Sequence, residues 1–347
     1  MALILSLFLL SGCSGIGLRT ENQESLETIL ASPAYWLPVQ SFTKLDTSGQ
    51  SLNKDAQTWS MVRDNTTGLI WEVKTEEKGI HYFKQKYDWQ TAQTDFIGRL
   101  NQEKFGGYTD WRLPTAKELA SIVDRTQFLP AIDTNYFPLT NTQNYWCAQT
   151  FAGDAAKVWT VHFCRGYVAP WDKTTPWFAR AVHGPALPAT NLVDNGDGTI
   201  TDLTTGLMWQ QKYKHSLTWS EALSYCENLK LAGHSDWRLP HVHELQTIID
   251  YSRFNPSADG TLLAMKPLTG KNPAAIERAK LPIADPRLTF WSSTKYESSP
   301  ERSIWVANFK KGSLARSVKT QSYAVRAVCR IDGRATMTNK TSFKVSE

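Results

Sequence analysis

The densest group of side chains able to do chemistry is His241-Val-His243-Glu244. Two imidazoles and a carboxylate are the raw material of a metal site or a proton relay. Their spacing argues against both, because residues two apart on a helix point in different directions. Asp194-Asn-Gly-Asp-Gly198 has the composition of a calcium loop, but its oxygens are not at alternate positions and no glutamate closes it. Asn-Gly and Asp-Gly read better as a tight turn. The chain has no nucleophile elbow, zinc-protease helix motif or phosphate loop. The expectation is a protein that is not an enzyme and carries no cofactor and no metal.

Cations and cysteines offer a different chemistry. Lys310-Lys311-Gly312-Ser-Leu-Ala-Arg316-Ser-Val-Lys319 reads as a hairpin tip with four positive charges, and Lys295 and Arg302 lie on the strands before it. Arg and Lys recognise sulfates and carboxylates through charge-assisted hydrogen bonds. Residues 187–347 carry 21 Lys and Arg against 15 Asp and Glu, whereas residues 1–186 carry 17 against 18. The second half is therefore where an anionic partner is expected. Nothing points to nucleic acid.

These groups are positioned by an internal repeat. Thr109-Asp110-Trp111-Arg112-Leu113-Pro114 returns 126 positions later as Ser235-Asp236-Trp237-Arg238-Leu239-Pro240. Before it, each copy has two alternating runs around a Gly-containing turn, a β-hairpin, in Trp59–Trp71 and Gly198–Trp209. A helix follows, with Asp88 or Thr218 at its start and Trp89 or Trp219 in its first turn. The hexapeptide then leads into a second helix, which the spacing starts at Pro114 or Pro240. Strands follow: Val158-Trp159 matches Ile304-Trp305, and a closing Ala179-Arg180-Ala181-Val182 matches Val325-Arg326-Ala327-Val328.

On this correspondence the hexapeptide is a structural motif made of Asp110, Trp111 and Arg112 and of Asp236, Trp237 and Arg238. Its arginine needs an acidic partner, for which Glu118/Glu244 and Asp124/Asp250 are available. Glu118 in Thr115-Ala-Lys-Glu118 also completes a capping box. Cys226 corresponds to Phe96 and Cys329 to His183. A pair present in one copy and absent from the other predicts a Cys226–Cys329 disulfide, worth about 4–5 kcal/mol for a loop of about 100 residues. Cys147 and Cys164, on adjacent strands, make a second expected bridge.

This order of elements, with Thr-Gly-Leu-Met-Trp and Asp-Trp-Arg-Leu-Pro at its centre, resembles the Lcl C-terminal domain family, named for a collagen-like bacterial adhesin. The resemblance covers residues 59–184 and 192–331. It implies an α+β fold of two tandem C-type-lectin-like domains, each with two helices packed on small antiparallel sheets. It also implies a binding module for sulfated glycans, with most relatives of unestablished activity. None of the Glu-Pro-Asn, Gln-Pro-Asp or Trp-Asn-Asp triplets of calcium-dependent lectins is present.

Residues 2–12 form a short apolar run, too short to span a bilayer. It ends in Leu10-Ser11-Gly12-Cys13, which resembles a bacterial lipobox with Cys13 as the lipidation site; Ser14 after it implies the outer membrane. No basic residue follows Met1. The expected organisation is a signal over residues 1–13, a tether over 14–34, a first domain over 35–184, a linker over 185–191, a second domain over 192–331 and a tail over 332–347. The function expected is that of a lipid-anchored cell-envelope protein recognising anionic polysaccharide through Lys295, Arg302, Lys310, Lys311, Arg316 and Lys319. The alternative is docking of an envelope protein.

Overall fold

Each copy begins by pairing its first strands with its last one. In the first, β1 (Phe42–Leu45), β2 (Met61–Asp64) and β3 (Ile70–Glu72) form an antiparallel sheet that β7 (Val182–His183) closes beside β3. In the second, β8 (Leu192–Asp194), β9 (Thr199–Asp202) and β10 (Leu207–Gln210) are closed by β16 (Val328–Arg330) beside β10. The other strands make a second sheet per copy. These are β4 (Asn144–Thr150), β5 (Lys157–His162) and β6 (Tyr167–Asp172), then β12 (Thr289–Lys295), β13 (Ser303–Asn308) and β14 (Ser313–Val318). The second copy adds β11 (Lys214–Leu217) and β15 (Tyr323–Val325) at its edge. This computed structural model describes residues 40–188, 190–252, 289–296, 299–309 and 312–330. Cys13, the expected tether and tail, the 258–288 insertion, Lys310 and Lys311 lie outside the described residues.

The helices are short. α1 runs from Trp89 through a π-helical stretch, Ala92–Ile97, to Gln102, with Asp88 accepting from Thr91 N at 2.8 Å. Its counterpart α3 (Trp219–Glu227) is regular and is capped by Glu221, which accepts from Thr218 N at 2.8 Å. α2 (Ala116–Ser121) and α4 (Val242–Thr247) start two residues after the prolines expected to open them. Thr115 and His241 are the N-caps, and the proline carbonyls instead accept from Ala148 N and Ser293 N at 2.8 Å. A proline before the N-cap still ends the preceding extended segment, since its ring fixes φ.

Two further expectations change. The closing run is not one strand: β15 and β16 belong to different sheets, with Arg326 and Ala327 at the crossing. The buried Arg326 guanidinium donates there to the carbonyls of Gln210 and Gln211 at 2.8 and 2.7 Å, and Arg180 does the same at Glu72 O, 2.8 Å. The sheets are also not wholly antiparallel, because β12 and β15 run parallel where Phe290 meets Ala324.

The tryptophans explain why both copies fold alike. Trp111 and Trp237 donate to the carbonyls of Phe105 and Leu231, Trp146 and Trp291 to those of Tyr87 and Leu217, and Trp89 and Trp219 to those of Cys147 and Ser292. A packed indole fills volume and ties one backbone carbonyl, so each pair fixes the same contact twice.

The copies do not sit as separate beads. All described residues belong to one compact unit, and a single buried cluster contains Trp159, Phe163 and Val123 of the first copy with Trp305, Ile249 and Tyr251 of the second. Trp159 lies edge-on to Tyr251, with centroids 5.1 Å apart, and donates to its carbonyl at 2.9 Å. Trp305, its repeat equivalent, packs under Arg125, the equivalent of Tyr251, at 5.7 Å. This pseudo-twofold seam gives the expected linker a structural role. Leu187 N donates to Glu118 at 2.9 Å, and Thr190 joins Lys117 of the first copy to Thr247 O of the second.

The full chain should therefore melt in one cooperative transition by calorimetry. Residues 192–331 expressed alone should show no cooperative transition, because Trp305 and Tyr251 would lose their cover.

Candidate functional site

The hexapeptide is built around one ion pair per copy. Arg112 donates to both oxygens of Glu118 at 2.7 and 2.8 Å, and Arg238 to both oxygens of Glu244 at 2.8 and 2.6 Å. Each glutamate also accepts from its own N-cap nitrogen, Thr115 N at 2.8 Å and His241 N at 2.7 Å. Although burial pushes Glu118 up, Arg112, Thr115 and Leu187 hold its carboxyl below the usual range. Asp124 and Asp250 are not the partners; each turns back on its own loop, to Thr126 and Ser252. Asp110 meets His183 at 2.6 Å, and Asp236 approaches His234 at 3.7 Å.

The expected cysteine bridges are absent. Cys147 and Cys164 are thiols, and the β4–β5 register shows why. Asn144 pairs with His162 and Trp146 with Thr160, so Cys164 falls opposite a point five residues from Cys147. That is about 16 Å along the strand, whereas a disulfide needs Cα atoms within about 7 Å. Cys226 and Cys329 share a buried cluster, yet no bridge joins them. Cys226 occupies the volume of Phe96 as a small apolar side chain, and burial pushes its thiol up to about 12.

Of the six expected polysaccharide-binding cations, the four described, Lys295, Arg302, Arg316 and Lys319, do not all face the same way. Arg302 and Lys319 stand together at the open end of the β13–β14 hairpin, where Lys319 N donates to Arg302 O at 3.1 Å. Lys295 ends β12. Arg316 and Lys319 are three residues apart and turn to different faces, Arg316 over Tyr296 at 5.2 Å and Lys319 over Trp219 at 4.9 Å. Lys173 covers Trp89 in the same way at 4.7 Å, so Lys319 repeats a contact that builds both copies.

What the structure does bring together is a ledge across the seam, where β6 and β14 run side by side. Arg316 of the second copy lies over the Tyr296 ring at 5.2 Å, and Arg165 of the first copy lies beside Tyr167, near enough to Tyr296 to feel its hydroxyl. The Tyr296 and Tyr167 hydroxyls beside Arg165 favour its charged form. Tyr167 reaches over to Trp305, with centroids 5.4 Å apart. Arg316 covers the face of the buried Tyr296 ring, so what this ledge offers a ligand is two guanidinium groups beside the half-buried Tyr167. Arg165 could not be placed beside Tyr296 from the sequence, because Tyr296 lies in the other copy. An open cleft of about 600 Å³ near Trp59 and Tyr136 is less suited to an anion. Its Lys44 already covers Trp59 at 3.7 Å and donates to Ala56 O.

The pair His241 and His243 also lies at the seam. The rings stack in parallel, 5.5 Å apart, and the buried Arg125 donates to His243 at 2.7 Å and to Gln246 at 3.1 Å. A guanidinium only donates, so the nitrogen it meets carries no proton. Burial, and then Arg125, keep His243 well below the usual histidine range. Burial lowers His241 to about 4, against the pull of Glu244. The geometry is that of a packed neutral pair and not of a ligand set.

The family model of the Lcl C-terminal domain matches residues 60–183 and again residues 198–329. No curated protein matches the chain.

Two predictions come from these contacts. Arg238→Ala should cost about 3–5 kcal/mol, because it strands the Glu244 carboxylate in the interior, and Arg238→Lys should recover only part. Thermal melts of the three proteins check this. Second, both histidines stay neutral when folded but protonate when unfolded, at about pH 6.5. Stability should be at its full value above that pH and decline as pH falls toward about 4. Urea midpoints across this window should fall less steeply for His243→Gln than for wild type.

Proposed function

The chain belongs to the Lcl C-terminal domain family, carrying the domain twice, and from that premise we propose that it is a lipid-anchored envelope protein that binds anionic, sulfated polysaccharide. The observation that supports this reading is the seam itself, where Tyr167 of the first copy, beside Arg165, packs on Trp305 of the second, and Arg316 lies over Tyr296. A polymer ligand would lie along this ledge, with sulfate or carboxylate groups on the guanidiniums and a sugar face against the half-buried Tyr167. Arg302 and Lys295, both exposed, would extend the track along the second copy. In this reading each copy is a C-type-lectin-like domain, the Cys13 lipobox supplies the anchor, and the outer membrane is the location. Acylation at one cysteine would hold a folded domain at the membrane surface through buried methylenes.

This reading differs from one based on the second hairpin alone, since the ledge needs both copies. A second reading, docking of an envelope protein, has one observation behind it: Phe128 and Leu129 stand exposed, at 50% and 57%.

Retention on a heparin column distinguishes them. Wild-type protein should elute at high salt, with affinity dropping steeply as ionic strength rises. Arg165→Gln and Arg316→Gln should each lower affinity by about tenfold or more, as expected for loss of a charged hydrogen bond. Equal retention of wild type and the double variant would remove the polysaccharide reading and leave the docking one.

A further inference from the structure

We propose that His234, Asp236 and Cys329 form a binding site for one divalent transition-metal ion of the zinc class. One donor atom from each, imidazole nitrogen, carboxylate oxygen and sulfur, lies within 4.8 Å of the other two. In a tetrahedral site with bonds of about 2.0–2.3 Å, donors stand about 3.3–3.8 Å apart, so small side-chain rotations close the set. The three residues come from two segments whose backbones are fixed. Arg238 and Val328 exchange two hydrogen bonds of 2.9 Å, which holds the hexapeptide against β16. Leu231 and His234 bridge a turn through Ala232 and Gly233, both at positive φ (51° and 78°), which brings His234 back to the start of the motif.

The donors are graded from interior to solvent. Cys329 is 1% exposed, while the side chains of His234 and Asp236 are 16% and 55% exposed. With a buried sulfur below and His234 and Asp236 toward solvent, the fourth position is left to water, the arrangement of an open zinc site. The donor types also select the ion. A thiolate with an imidazole suits zinc, cobalt or nickel and is poor for calcium or magnesium, which prefer oxygens.

Comparison between the copies sharpens the assignment. The same three positions in the first copy hold Tyr108, Asp110 and His183. There His183 bonds Asp110 at 2.6 Å and is covered by the stacked Tyr108 ring at 3.8 Å. That is a hydrogen-bonded pair under an aromatic lid. In the second copy a histidine replaces Tyr108 and a cysteine replaces His183, so Asp236 has two neighbours able to ligate where Asp110 has one.

The test is cobalt and zinc titration of the full chain with its thiols reduced. We expect one Co²⁺ per chain, with a sulfur-to-cobalt charge-transfer band in the near ultraviolet that added Zn²⁺ displaces. Cys329→Ser should abolish the band. His234→Gln, which changes a more exposed side chain and should leave folding intact, should weaken binding by more than the about tenfold that loss of a mere supporting contact costs. Cys164→Ser should leave both unchanged. Absence of the band in wild type, its survival in Cys329→Ser, unaltered affinity in His234→Gln, or a Cys226–Cys329 disulfide in chain purified without reductant would each overturn the proposal.

Discussion

The Glu118 carboxylate has no exposed side-chain surface and accepts four hydrogen bonds: two from Arg112, one from the helix N-cap at Thr115 and one from Leu187 in the segment joining the copies. Glu244 repeats three of them with Arg238 and His241. A buried carboxylate is tolerated only when its oxygens are saturated. Saturating these oxygens forces the hexapeptide, the start of the second helix and the adjoining strand into one arrangement. Arg112 and Arg238 are in turn held by backbone exchange with Val182 and Val328 on the last strands. The first strands, the last strand and the second helix of each copy thus depend on a single ion pair.

Around this pair the two copies are built from matching parts and then diverge at their surfaces. The indole-to-carbonyl bonds, the Lys173 and Lys319 contacts over Trp89 and Trp219, and the buried arginines Arg180 and Arg326 occur in both. The buried positions that differ are informative. Glu72, held at about 2 by Lys74, His81 and Arg180 despite its burial, is replaced by Gln210 in the second copy. The first copy therefore keeps a buried charge cluster where the second has an amide bonded to Tyr225.

The seam between the copies shows how duplication creates surfaces that neither copy has alone. Equivalent residues face each other across a pseudo-twofold relation, Trp159 on Tyr251 and Trp305 on Arg125. Because Tyr251 and Arg125 differ, the relation is only approximate. One side buries an aromatic pair; the other buries a cation that needs acceptors and finds them in His243, Gln246 and Gly166 O. The arginine–tyrosine ledge lies on the outside of this same contact.

Much of the fold was legible in the sequence because it is periodic and repeated. The hairpins, the two helices per copy and the Trp-bearing strands follow from spacing within about ten residues, where local geometry decides; the choice of Glu118 and Glu244 over Asp124 and Asp250 was made by the fold. The helix starts were displaced from Pro114 and Pro240 because the capping box at Thr115, itself visible in the sequence, sets the boundary. Long-range facts were decided only by tertiary structure. Strand register, which separates Cys147 from Cys164, depends on pairings that composition does not encode. The meeting of Arg165 with Tyr296, and of His234 with Cys329, joins residues about 130 and 95 positions apart, and only a folded backbone brings such pairs within reach.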